Sequence, residues 1–257
     1  MTKIFNSPSN DSEMEHAARQ ARKNFKFFWR EMTWEYRRII PAMGIASVKI
    51  RFDEGDTTEY LWANVFNFDG INLYIEVLNT PNELKKIKAN DQLTVPFEQL
   101  YDWLYSLDDE IFGGFTVNLM RKRMSSPERA SHDGAWGLNF GDPNKIDLVP
   151  LEWLREKKKR IFGKPSYKDP NEVEHPMALN MVQGFKEGKF GKEVLEYVDD
   201  LGKTTLHDMA LGGAAEMTIY LLNQGMDKTV KDNNGNTPLF LSNKMGWGNV
   251  SKVLEEY

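Results

Sequence analysis

Gly202-Lys203-Thr204-Thr205-Leu206-His207-Asp208-Met209-Ala210 is echoed by Gly235-Asn236-Thr237-Pro238-Leu239, and the two glycines stand 33 positions apart. A fixed period of this length marks a chain built from stacked supersecondary units, none of which can bury its apolar face alone. Thr204-Thr205 and Thr237-Pro238 begin helices. Leu221-Leu222 packs on the neighbouring unit, and Gly225 and Gly235 permit tight turns. Ahead of the two copies, Met181, Val182 and Phe185, then Val194, Leu195 and Val198, set a helical pattern divided at Gly188. That pattern predicts a divergent first unit, so about three units span 177–257, with the second copy as terminal cap.

The first copy resembles an ankyrin repeat. It follows the pattern G-x-T-P-L-H-x-A over residues 202–210, with Thr205 in place of proline, then Gly213, Leu221-Leu222 and Gly225-Met226-Asp227. The second copy has Phe240 where the pattern has histidine, and the match weakens at Trp247 and Gly248. The resemblance implies that His207 is a hydrogen-bonded core residue. It also implies protein binding through loop tips and a concave face. The positions that vary in such repeats are here Leu201, Lys203, Leu211, Gly212, Asn233, Asn234, Asn236, Lys244 and Met245.

Working outward, residues 163–176 contain Gly163, Pro165, Pro170 and Pro176 and no apolar period, which reads as a linker. The region before it, 13–162, reads as an α+β domain: one long helix packed on a curved antiparallel β-sheet. Ala18, Ala21, Phe25, Phe28, Met32, Tyr36 and Ile39 recur at spacings of three and four, one face of a helix that Pro41 ends. Arg30, Arg37 and Arg38 fall on its polar back. Strands are expected over 46–52, 60–68, 71–78 and 92–95, with turns at Asp53–Asp56 and Asp69-Gly70. Phe97–Leu104 suits a helical turn or a strand. Ile111–Leu119 reads as the last strand, where Gly113-Gly114 signals a bulge or a close backbone approach. Arg121–Arg129 reads as helical, Trp136–Pro143 as a packed loop, and 151–161 as a helix ending in Lys157-Lys158-Lys159-Arg160.

The stretches Ala21–Glu31, Trp34–Arg38, Phe112-Gly113-Gly114-Phe115-Thr116-Val117, His132–Gly137 and Phe140-Gly141-Asp142-Pro143 resemble the YegJ-like bacterial domain of unknown function 2314. That resemblance implies a domain without implying an activity. A second, more local likeness covers Phe68-Asp69-Gly70, Asn79-Thr80-Pro81, Asn90–Val95 and Asp102-Trp103. It is similar to a small bacterial immunity-protein domain, with Asn90 in place of a glycine. It implies binding and neutralising a cognate toxin.

The chain has 257 residues and no cysteine, which excludes a disulfide scaffold, thiolate metal sites and cysteine catalysis. No apolar run approaches a membrane span, and residues 1–12 are polar, so a cytoplasmic protein with no membrane partner is expected. Net charge is −5, which disfavours nucleic acid as partner. The charge is uneven: residues 46–118 hold five Lys and Arg against 13 Asp and Glu. An acidic surface steers a basic partner, and Asp108-Asp109-Glu110 is the densest run. Asp102 reads as solvated surface. The sequence has no phosphate-binding glycine loop and no metal-ligand motif, and no cofactor or metal is expected. Glu172, Glu174 and His175 are ligand types for a divalent ion but lie within the expected linker, and a metal site needs convergent ligands. His132 and Asp133 are the candidates for acid–base catalysis, with Trp136 beside them, and they define the alternative reading as an enzyme. The leading expectation is a protein-binding protein, an immunity-type inhibitor of a basic toxin. Its contact residues would be Asp108, Asp109, Glu110, Lys203, Asn233, Asn234, Asn236 and Lys244. A third reading is an ankyrin-repeat regulatory scaffold.

Overall fold

The computed structural model describes residues 11–156, 166–191, 193 and 195–257. The readings for residues 1–10, for Lys157–Arg160, for 163–165 and for Val194 lie outside the described residues. The chain forms two compact units. One comprises the residues up to Phe25 with Ala42–Asp147, the other Lys26–Pro41 with Leu148–Tyr257. This division crosses the long helix and differs from the expected linker at 163–176. The physical reason lies in the helix sequence. After Phe25 come Phe27, Phe28, Trp29, Met32 and Trp34, all buried, more apolar bulk than one stripe can hold.

Helix α1 runs Ser12–Glu35. Asp11 caps it, accepting from the Met14 amide at 3.1 Å. It stops before Pro41: Arg37 and Arg38 donate to Trp34 and Glu35 in three-residue closures. Tyr36 and Ile39 therefore leave the predicted stripe, and Ile39 is 99% exposed.

In the first unit, strands β1 (Met43–Glu54), β2 (Thr57–Phe68), β3 (Asn72–Val77), β4 (Gln92–Pro96), β5 (Leu100–Leu107) and β6 (Glu110–Gly113) form one antiparallel sheet. The strand order is β4-β3-β2-β1-β5-β6. Asp69 Oδ1 accepts the Ile71 and Asn72 amides and closes the turn into β3. Phe97–Gln99 is a 3-10 turn leading into β5, so both alternatives for that stretch hold in succession. β5 is buried on both faces. Trp103 donates its indole N–H to the Ala21 carbonyl at 2.8 Å, and Tyr101 packs with Met14 and Ala18. On the other face Leu104 meets Val117 and Phe140. Phe25 packs edge-on to Phe68 at 5.3 Å.

The expected last strand is only half a strand. After β6 the chain turns at Gly113 (φ +81°) and Gly114 (φ +70°) into helix α2, Phe115–Arg123. A side chain at Gly113 would sit 2.5 Å from the Trp103 carbonyl, so the close approach is the reason for glycine. Helix α3, Ser126–Trp136, follows with a Ser125/Glu128 capping box, and it absorbs the start of the expected loop.

In the second unit, α4 (Leu151–Leu154), α5 (Pro176–Lys186), α6 (Thr205–Gly212), α7 (Ala215–Asn223), α8 (Pro238–Met245) and α9 (Gly248–Glu256) are joined by the later turns of α1. The α6–α7 and α8–α9 pairs are the two repeats. Of the stretch expected as a divergent first repeat, the first part forms α5. The second helix expected at Leu195–Val198 is absent: Leu195 lies in a turn, and Val198 forms an isolated bridge with Thr204. Trp247, where the motif weakened, is the keystone of this unit. It is 1% exposed, donates to the Leu211 carbonyl at 2.9 Å and meets Phe27 edge-on at 5.7 Å.

Candidate functional site

The repeat motif spends its polar atoms internally. His207 Nδ1 accepts the Thr204 amide at 3.1 Å, and Nε2 donates to the Asn236 carbonyl of the next repeat at 3.1 Å. This fixes the tautomer and ties one repeat to the next. Burial holds the His207 pKa below its ordinary value. Phe240 occupies the equivalent place in the second copy, 46% exposed, where no described repeat offers a carbonyl for a histidine. Asp199 and Asp232 play matching parts. Asp199 Oδ1 accepts the Leu201 and Lys203 amides, and Asp232 Oδ1 accepts those of Asn234 and Asn236.

This accounting removes two of the expected contact residues. Lys203 is 2% exposed, with Nζ 3.2 Å from Asp208 and 3.4 Å from Asp199. Asn236 is 7% exposed and bonds Asp232. Gly212 and Leu211 are buried as well. Asn233, Asn234 and Lys244 stay exposed. Asn233 also reaches across to the Asp200 carbonyl at 3.0 Å, so its side chain braces the loop that carries it. Lys244 lies 5.9 Å over the exposed Phe240 ring.

Asp108 (φ +46°) and Asp109 (φ +64°) form the two-residue turn between β5 and β6. Both are in the left-handed conformation that such hairpins need and that aspartate tolerates. With Glu110 they are exposed, and none has an ion pair among the described residues.

Asp102 is not solvated surface. It is fully buried and caps α2, accepting from the amides of Phe115 (2.9 Å), Thr116 (2.8 Å) and Val117 (3.2 Å) and from the Thr116 hydroxyl (2.6 Å). The one-letter pattern gave no sign of this, because a cap thirteen residues before its helix has no local signature.

His132 and Asp133 do meet, Nδ1 to Oδ1 at 2.9 Å. Asp133 is committed elsewhere, however. Buried Arg121 grips it with two bonds of 2.9 and 2.7 Å and also binds Asn118 and the Gly141 carbonyl. Burial acts to raise the Asp133 pKa, and the Arg121 and His132 bonds overcome it and hold it low. Trp136 packs against Trp62 and Phe140. The cluster pins α2, α3 and the 138–142 loop together.

Glu172, Glu174 and His175 do not converge on a metal. His175 is buried within the second unit, with Nδ1 accepting the Met177 amide at the start of α5 and Nε2 bonded to Glu31 at 3.2 Å. Both nitrogens are used. Trp34 stacks on its ring at 5.5 Å and Trp153 meets it edge-on at 4.7 Å. Glu174, bonded to the Glu216 amide, is pushed up to about 7 by burial. Arg30, expected on a polar back, is 1% exposed and donates to the Val173 carbonyl at 3.1 Å. Sequence reading missed this cluster because its members are about 140 positions apart.

Comparison with known proteins fits this picture. Residues 195–241 match a model of ankyrin repeats. A Neisseria meningitidis serogroup B protein, named as an ankyrin repeat protein, is 35% identical over 257 residues, covering 98% of this chain and 96% of the relative. Residues 11–140 match the model DUF2314, described as an uncharacterized protein conserved in bacteria. With half its length matched and a relative aligned end to end, the chain belongs to the DUF2314 family of bacteria and carries ankyrin repeats behind that domain.

Proposed function

We propose that this chain is a protein-binding protein of the immunity type, which captures and neutralises a toxin carrying a basic surface. The observation that carries the reading is the division of labour within the repeats. Motif positions are consumed in internal bonds, whereas Asn233, Asn234, Phe240 and Lys244 face solvent. Exposed side chains along stacked repeats form an extended surface of the kind that repeat arrays use to bind. The exposed Asp108-Asp109-Glu110 turn supplies the acidic element. The residues of the immunity likeness also hold structural posts that suit such a fold. Asn90 has φ +69°, a conformation natural to the glycine it replaces. Asn79 Oδ1 accepts the Trp62 amide at 2.9 Å.

The test is a native pull-down at low salt with partners identified by mass spectrometry. One stoichiometric basic partner is expected, released by high salt and weakened by the combined change Asp108→Asn, Asp109→Asn, Glu110→Gln. No stoichiometric partner, or one indifferent to that change and to salt, would overturn the toxin reading.

A further inference from the structure

A cavity of about 480 Å³ opens in the first unit between the first turns of α1 and the face of α2. Its size falls within the roughly 300–1,000 Å³ of small-molecule sites. Phe115 and Leu119, one turn apart on α2, form an apolar wall with Ile146. Phe115 is buried, and Leu119 and Ile146 are half-buried. Arg19 and Lys122 place two cations on the rim, and His16 lines it beside them.

Arg19 is unusual among its neighbours. Arg22 donates to the Leu100 carbonyl, Arg51 binds Asp53, Arg121 binds Asp133, Arg123 binds Asp11 and Glu13, and Arg129 binds two carbonyls. Among the described residues, Arg19 is the one arginine of this unit that makes no hydrogen bond or ion pair. Lys122 makes none either. Glu13, the carboxylate on the same wall, is paired with Arg123, which also holds Asp11. An apolar wall beneath two exposed cations is complementary to a molecule with an apolar body and an anionic head. A guanidinium matches a carboxylate, sulfonate or phosphate head with paired donors.

We propose that this cavity is a binding site for a small amphipathic anion, its aromatic or aliphatic body against Phe115, Leu119 and Ile146 and its acidic head between Arg19 and Lys122. The site is separate from the acidic turn and the repeat loops of the proposed function.

The test uses the full chain and 8-anilinonaphthalene-1-sulfonate, an aromatic anion whose fluorescence rises on leaving water. The uncharged N-phenyl-1-naphthylamine is the control. Saturable binding of one sulfonate per chain is expected, with shifts at the Ile146 methyl resonances. Arg19→Gln combined with Lys122→Gln changes two exposed side chains, so the fold is retained. The double change should weaken binding about tenfold or more, the scale of a lost charge-assisted hydrogen bond. The uncharged probe should bind at least as weakly to the unaltered chain. The proposal is overturned if no saturable binding occurs, if Ile146 does not respond, if the double change leaves affinity intact, or if the uncharged probe binds equally well.

Discussion

Lys203 and Lys244 carry the same charge in the same repeat array, yet their surroundings assign them opposite roles. Lys203 sits between Asp199 and Asp208, and Arg37 also bonds Asp208 at 2.8 Å. Burial acts to raise the Asp208 pKa, and Lys203 and Arg37 together hold it low. Lys203→Ala would leave Asp208 with Arg37 and take from Asp199 the ammonium 3.4 Å away, and should cost about 2–3 kcal/mol of stability in urea unfolding. Lys244→Ala should leave the unfolding curve unchanged within roughly 0.5 kcal/mol and act on partner capture alone. Glu174 offers a second test at this scale. Its pKa is about 7 in the folded chain against an ordinary value near ~4.3. A carboxyl whose folded pKa is raised contributes its full stability below the unfolded value, and loses it as pH rises through the folded one. Glu174→Gln should therefore change nothing at pH 4 and stabilise by about 1–2 kcal/mol at pH 8, allowing for partial exposure. Equal melting curves at pH 8 would show that Glu174 is ionised without penalty.

At the scale of elements, α2 depends on a residue outside it. Asp102 satisfies the first amides of the helix from the neighbouring strand, where Gly114 supplies no side chain. Asp102→Ala should cost about 3 kcal/mol, combining a lost cap with buried amides left unpaired. Because Phe115, Leu119 and Lys122 ride on α2, the same change should weaken anilinonaphthalene sulfonate binding. Intact stability would show that water replaces the carboxylate. The strands were legible because each has a core face that imposes alternation: Val48, Ile50 and Phe52 in β1 are all buried. The switch from β6 to α2 was not legible. The paired glycines announced the close approach to the Trp103 backbone, but the helix that starts at Phe115 is capped from a distant strand and has no local signal.

At the scale of the whole molecule, two architectures can be read in the sequence, but their boundary cannot. The ankyrin repeats announce themselves through a 33-residue echo, since identical units must satisfy identical turns. The rest of the second unit is assembled from distant segments, and this governs what can be cut out. Phe27, Arg30, Glu31 and Trp34 of α1 are at most 2% exposed and belong with Leu148–Tyr257. Trp34 stacks on His175, Phe27 meets Trp247, and Thr33 crowds Gly212. Burying Phe27 and Trp34 alone contributes about 1.5–3 kcal/mol each, a large share of a typical domain stability of roughly 5–15 kcal/mol. Their loss would also leave His175 without its Glu31 partner. A fragment of residues 148–257 holds every recognisable repeat but none of these groups. Its amides in α6 to α9 should exchange with solvent many times faster than in the full chain, and it should melt without a cooperative transition. A peptide of residues 26–41 added in excess should restore part of the protection, because it returns the missing side chains. A fragment as protected as the full chain would mean that the repeats are self-sufficient, and that the aromatic run of α1 serves a purpose other than completing their core.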